Sequence, residues 1–281
     1  MTIYSLQSLN HLAQFLLMVT GAIFLGVESY EVIGNQDLSF PWFLFVISCL
    51  ILSVLIWIVH GFWIDGYLKG SVTIKSNVID PPVSIEFGDL LEKEGWKAIG
   101  GNDFFDSEVD EIIISSNTLH GRVLRDYWPG AIDDWDQTVE NELEQIQSST
   151  EARRRGKTLR YPIGTTVSTI ARNGSKFFFV ALAKTAVGDG TTKANAEDII
   201  LAVRGLLKKA RARCSNEPLY IPLLGSGLAR TGMKEHLLLQ LILIGIVEEL
   251  KVAKVTSKIT IILPKHLRNT INLGSINTHW K

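Results

Sequence analysis

Two long charge-free stretches near the start of the chain constrain it more than anything that follows. Residues 12–27 contain no charged side chain and neither do residues 40–59, after which Phe62, Trp63 and Ile64 continue the apolar character. A helix needs about 20 largely apolar residues to cross roughly 30 Å of hydrocarbon. The second run meets that length, and the first meets it with Leu9 and His11 at one interface. Trp42, Trp57 and Trp63 lie near the ends of the second run, where interfacial aromatics collect. A cleaved secretory leader competes for the first run, but no basic segment precedes it and no small-residue cleavage pattern follows it. A buried hairpin inside a large soluble core is the other competitor. The expectation is a membrane hairpin over residues 1–65, with spans near 9–27 and 40–60.

Charge asymmetry predicts the orientation. No Lys or Arg precedes Lys69, the connecting loop carries Glu28, Glu31 and Asp37, and Lys69 and Lys75 follow the second span. Basic residues favour the cytoplasmic side, so both ends of the hairpin are expected inside an inner membrane with residues 66–281 in the cytoplasm. Overall, 28 basic residues nearly balance 29 acidic ones, which argues against a nucleic-acid partner bound by phosphate neutralisation. Cys49 and Cys214 are the two cysteines, too few for a disulfide framework or a Cys-rich zinc site.

Beyond a linker at residues 66–70 the pattern changes to short strands and longer helices. Residues 71–75 and 83–87 alternate as half-exposed strands, with Pro81-Pro82 as a breaker between them. Residues 111–115, 176–182, 218–224 and 258–263 are compact apolar runs suited to a sheet covered on both faces. Residues 195–214 place Ala196, Ile199, Val203, Leu206 and Ala210 on one helical face, with Asn195 and Asp198 as a capping pair. Lys208, Lys209, Arg211 and Arg213 crowd its end, where a solvated basic face also suits the helix dipole. Residues 233–250 are apolar nearly all round but too short between their charges to span a bilayer, so a buried helix is expected. The class is α/β, with a mostly parallel or mixed sheet between helices. An insert at residues 130–155, first acidic and then basic at Arg153-Arg154-Arg155, reads as a solvated helix and turn, or else as an oligomer contact.

Ligands in such folds sit outside the carboxyl ends of the strands, which singles out three loops. Gly88-Asp89 follows the strand at 83–87, Ser116-Asn-Thr-Leu-His-Gly121 follows the run at 111–115, and Gly225-Ser-Gly-Leu-Ala-Arg230 follows the run at 218–224. Asp89 can accept from an exocyclic amine and Asn117 can bond sugar hydroxyls. The glycine turn can aim backbone N–H groups at phosphate oxygens. Two familiar motifs fail there: Arg230 stands where a dinucleotide fingerprint needs a small residue, and Met233-Lys234-Glu235 replaces the Lys-Ser/Thr of a P-loop. His120 reads as loop surface rather than as a base.

In order and spacing, Val83-Ser-Ile-Glu-Phe-Gly-Asp89, Ile112-Ile-Ile-Ser-Ser-Asn117 and Pro222-Leu-Leu-Gly-Ser-Gly-Leu228 resemble the landmarks of macro domains, which bind ADP-ribose. The likeness covers residues 71–281. Preceded by two spans, it resembles the membrane-anchored macro-domain effectors of Thoeris antiviral defence. The resemblance implies a three-layer α/β/α domain over residues 66–281. It implies that Asp89, with Leu90 beside it, meets the adenine, that Asn117 and Gly121 border the distal ribose, and that Gly225, Ser226, Gly227 and Leu228 wrap the diphosphate, with Arg230 at the end of the turn. It also implies a signal derived from ADP-ribose and made from NAD by a TIR-domain partner, a ligand-induced homo-oligomer, and damage to the lipid bilayer as output. No cofactor, metal or catalytic residue is expected. Where hydrolytic macro domains have a glycine-rich run after the asparagine, Thr118-Leu-His-Gly-Arg-Val-Leu-Arg-Asp-Tyr-Trp128 stands here, a bulkier loop suited to a group attached to the distal ribose. A membrane-bound ADP-ribosyl or phosphoester hydrolase and a scaffold with a purely structural glycine turn remain the alternatives.

Overall fold

A computed structural model describes residues 6–34, 41–64, 66–75, 79–227 and 229–280. Asp37 of the expected connecting loop, Phe40 and the candidate ligand residue Leu228 lie outside the described residues. The chain divides into two compact units, Met1–Val72 with His266–Lys281, and Thr73–Lys265. The C-terminal segment therefore groups with the N-terminal unit, where the sequence reading had joined it to the ligand-binding domain.

In the first unit, helices α1 (Leu6–Gly34) and α2 (Trp42–Val59) carry the two apolar runs. Each is long and apolar enough to cross a membrane, the most apolar 18-residue window averaging a hydropathy of 1.7 within residues 8–34 and 2.8 within the stretch Trp42–Ile64. Most large side chains of α2 point outward, Trp42, Ile51, Leu55 and Val59 among them. A soluble core helix would bury one such stripe. A π-helical turn, His60–Ile64, ends α2, and helix α7 (Leu273–His279) lies in the C-terminal segment.

The second unit is built on a mixed sheet in the order β1 (Ser71–Ile74), β2 (Val83–Phe87), β10 (Ile259–Leu263), β9 (Leu219–Pro222), β3 (Trp96–Asn102), β7 (Lys176–Thr185) and β6 (Thr166–Ile170). Strands β2, β10, β9, β3 and β7 run parallel, while β6 and the short β8 (Thr192–Lys193) pair antiparallel with β7. Alternation along a strand sends successive side chains to opposite faces. Phe177 and Phe179 accordingly join Trp128 and Trp135 in one core with helices α3 (Leu119–Tyr127) and α4 (Ile132–Leu143), whereas Phe178 stacks on Trp96 at 4.3 Å. Helices α5 (Ala196–Arg213) and α6 (Glu235–Val252) complete the layers, and Asn195 and Asp198 form the expected capping box. This is the macro-like α/β arrangement that the strand and helix order implied.

Residues 111–115 are not a strand. They form bends in the connection from β3 to α3, because Asp110 Oδ1 accepts from the N–H groups of Ile112 and Ile113 at 2.9 and 2.7 Å. Glu111, at φ +64, accepts from Ser116 N at 2.9 Å and Ser115 Oγ at 2.8 Å. Acidic side chains that satisfy local amides compete with sheet pairing, and here they win over three isoleucines. The central strand is instead β3, which sequence reading passed over along with β6.

The basic end of α5 is solvated as expected at Lys208 and Arg213, yet most of its cations also have partners. Lys209 and Arg213 pair with Glu142 of α4, and Arg211 donates to the carbonyls of Glu249, Ala253 and Lys254, which satisfies the free carboxyl end of α6. The acidic insert is likewise anchored, because Trp135, Val139 and Leu143 are buried. After α4 a hairpin, β4 (Ser149–Thr150) and β5 (Leu159–Arg160), follows. Arg153 from this hairpin reaches Asp106 at 3.0 Å with both side chains buried, and its guanidinium lies 3.9 Å from the Phe104 ring centroid. Removing one partner of a buried pair leaves a charge without compensation, at about 3–5 kcal/mol. Asp106→Ala should therefore lower unfolding stability by about that much, and Asp106→Ala with Arg153→Leu should recover part of the loss, read by urea unfolding of the detergent-solubilised chain.

Candidate functional site

The carboxyl ends of β2, β9 and β3 bring the candidate loops together. At the end of β2, Gly88 N donates to the Leu263 carbonyl of β10 at 2.9 Å. The next residue, Asp89, uses Oδ1 to accept from Leu91 N at 2.9 Å, and its Oδ2 lies 3.9 Å from the Arg122 guanidinium of α3. Leu90 points the other way, into the core cluster, so its side chain packs the floor beneath the loop.

The second loop is shaped by the start of α3. Thr118 caps the helix by accepting from Gly121 N at 3.0 Å, which places Gly121 within the first turn, and Asn117 stands exposed just before the cap. His120 differs from its expected place on the loop surface. Its ring is buried against Gly101, Phe179 and Trp135, since the opening of α3 turns that face onto the sheet. Burial and then the Lys157 charge push its pKa down to about 4 from 6.5.

The third loop holds the glycine turn. Gly225 has φ +86, a conformation that side chains with a Cβ rarely adopt, and an added Cβ would meet Ile199 of α5 at 2.7 Å. Thr231 Oγ1 donates to the Gly225 carbonyl at 3.2 Å, and Ala194 N donates to the Ala229 carbonyl at 2.9 Å, fastening the turn at both sides. Ser226 folds its hydroxyl onto the Leu223 carbonyl at 2.7 Å. Gly227 and Arg230 are exposed, and among the described residues no atom beyond the chain neighbours lies within 4 Å of where a Gly227 Cβ would project.

What joins these loops is the bare end of β3, which the sequence reading missed. A Cβ on Gly100 would meet Leu224, next to the glycine turn, at 3.3 Å, and one on Gly101 would meet the His120 ring at 3.4 Å. Asn102 closes the strand by accepting from the N–H groups of Phe104 and Asp106 and donating to Asp106 Oδ2 at 2.8 Å. The signal was present: Gly100-Gly101-Asn102-Asp103 ends an apolar run much as Gly225-Ser226-Gly227 does. Arg122, the cation facing Asp89, carried no such signal.

The family model described as Thoeris protein ThsA, Macro domain, matches residues 83–264, nearly two thirds of the chain. The chain belongs to the ThsA macro-domain family. The match spans β2 to β10, and with them all three candidate loops. The Thoeris protein ThsA of Bacillus amyloliquefaciens (strain Y2) is 28% identical over 220 residues, covering 74% of this chain and 71% of that protein. A macrodomain variant from Oceanobacillus iheyensis, solved with ADPR, superposes with TM-score 0.50 at 15% identity, over 74% of this chain and 95% of that one. The same macrodomain with ADP gives 0.49 at 15% identity, over 75% and 95%. The first of these structures, at TM-score 0.50, shares the fold with the ThsA-family domain.

Two buried groups within the ThsA-family domain bear on its chemistry. Cys214 is buried and its thiol is pushed up to about 12 by burial, which keeps it protonated and unreactive. His120 is neutral in the folded chain at pH 7, and between pH 6.5 and about 4 the unfolded chain binds a proton there that the folded chain refuses. Its contribution is thus complete above pH 6.5 and is lost as pH falls toward 4, to the extent of on the order of 3 kcal/mol. His120→Gln should flatten that part of the stability–pH curve, measured as thermal midpoints of both proteins over the interval. Parallel curves would show that the buried ring does not govern it.

Proposed function

We propose that this ThsA-family chain is a receptor-effector of Thoeris antiviral defence. Its macro domain binds an ADP-ribose derivative made from NAD by a TIR-domain partner enzyme, and binding drives homo-oligomeric assembly of the hairpin and disruption of the bilayer. The observation that carries the reading is the family match across residues 83–264, which spans three loops drawn together at the carboxyl ends of β2, β3 and β9. The macrodomain of similar fold was solved with ADPR. In this reading Asp89 takes the adenine amine and Asn117 with Gly121 borders the distal ribose. The backbone of residues 225–228 takes the diphosphate, and Arg230 lies at its outer edge.

The membrane half of the proposal rests on two adjoining apolar helices in the same chain and on basic residues that begin only at Lys69. In this reading that distribution favours a cytoplasmic position for both hairpin ends and the macro domain at the inner membrane. Burial of His120 removes the most obvious water-activating side chain from the second loop, which favours a receptor over a hydrolase.

Gly227 offers a test, because among the described residues a Cβ there would meet no atom beyond its chain neighbours within 4 Å, and it would project into the space assigned to phosphate. Gly227→Val should leave the thermal midpoint unchanged and weaken ADP-ribose binding by about tenfold or more, measured by calorimetric titration of the full chain in detergent. Chromatography of the titrated nucleotide should return it intact. Turnover would replace the receptor by a hydrolase, and absence of heat with ADP-ribose or its conjugates would leave a scaffold.

A further inference from the structure

The N-terminal unit contains a joint that the ligand loops do not explain. Past the π-helical turn His60–Ile64 the chain folds back on α2, with Leu68 N donating to the Gly61 carbonyl at 3.1 Å and the Tyr67 hydroxyl donating to the Trp57 carbonyl at 3.1 Å. Single π turns often mark functional positions in helices. The C-terminal segment is laid against this elbow. Gly66 has φ +66, and a Cβ there would come within 2.6 Å of the Gly274 Cα in α7. Arg268 Nη2 donates to the Leu68 carbonyl at 3.3 Å. Leu267, Ile271, Leu273 and Ile276 of the same short segment are buried.

The other end of that segment begins at the candidate ligand site. It continues from β10, whose last residue, Leu263, holds Gly88 N through its carbonyl, one residue from Asp89. Two residues, Pro264 and Lys265, separate Leu263 from His266, where the chain joins the hairpin unit. A hydrogen bond and two residues of chain thus connect the first candidate loop to the C-terminal segment.

We propose that residues 266–281 are a clasp that holds the elbow at the base of the hairpin in its resting arrangement, and that ligand bound beside Asp89 releases it. The proposal rests on the reading of α1 and α2 as membrane spans. Among the described residues, the clasp is fastened by a backbone approach at Gly66, a guanidinium on a carbonyl and buried apolar side chains, among other contacts. It is separable from both the ligand site and the spans. A ligand that favours the released state then shifts the population of hairpins free to assemble.

The test uses the full chain in phosphatidylethanolamine–phosphatidylglycerol vesicles loaded with a self-quenching dye. Gly66→Ala disturbs the backbone approach and Arg268→Ala removes the guanidinium, while Lys208→Ala on the exposed side of α5 serves as control. Both clasp variants should leak without ligand, by about fivefold over the parent for a release of this kind, and the control should not. Leakage at the parent level in both variants, with all proteins floating with the vesicles, would overturn the clasp. A parent that does not float would overturn the membrane reading and the clasp with it. Parallel titration with ADP-ribose separates the ligand reading: its failure leaves a ligand-free rise in leakage standing, because that rise needs no nucleotide.

Discussion

Close approach at the end of β3 is the constraint on which the site depends. The strand lies between parallel β9 and β7 and runs out in two residues without side chains, with Leu224 and Leu182 packed against Gly100 and His120 against Gly101. A Cβ at Gly100 would displace Leu182 and press on Leu224 beside the glycine turn, and one at Gly101 would fill the remaining space against His120. The candidate loops lie close together because that space is left to backbone. Backbone exposure is thus useful twice, bringing elements together below the site and leaving N–H groups accessible above it.

Charge is arranged around that centre by containment. Glu142, Asp106 and Glu249 each draw cations from a different element, and Glu249 sits almost wholly buried beneath Arg204 and Arg211. Buried charge is tolerated only with full compensation, so these pairs specify which elements adjoin more than they add stability. Arg211 illustrates the economy of the arrangement, because it neutralises Glu249 and also satisfies carbonyls that α6 leaves open at its end. The near balance of opposite charges along the chain hides strong local pairing.

The parts legible in sequence were those with a strong local signal. The apolar spans, the capping box of α5, the glycine turn and strands β2, β9 and β10 each carry their pattern within a few residues. Strand β3 was obscured because its carboxyl half is Gly-Gly-Asn, poor in strand formers, although parallel neighbours on both sides hold it. Residues 111–115 misled for the opposite reason, since three consecutive isoleucines outweighed the Asp110 and Glu111 carboxylates that capture the backbone there. The burial of His120 was illegible because only the rotation of α3 decides which way the ring faces, and that rotation is set by tertiary packing. Candidate site residues on loops were chosen by chemistry, and the strand end beneath them is visible only in three dimensions.

Coupling the two halves of such a chain imposes an energetic condition. To carry a hairpin from 1:99 to 99:1 in favour of its assembled state, ligand must prefer that state by about 5.5 kcal/mol. On the proposed reading, diphosphate contacts alone supply little preference, because the glycine turn is fastened on both sides. The difference has to arise where ligand meets something that moves. Among the candidate residues Asp89 is the best placed, because its loop is hydrogen-bonded to the last residue of β10, from which the C-terminal segment departs. On the proposed reading, affinity and switching are divided between loops, with the glycine turn holding the nucleotide and the Asp89 loop sensing it. A phosphate seat of ordinary design can then serve a chain whose proposed output is mechanical.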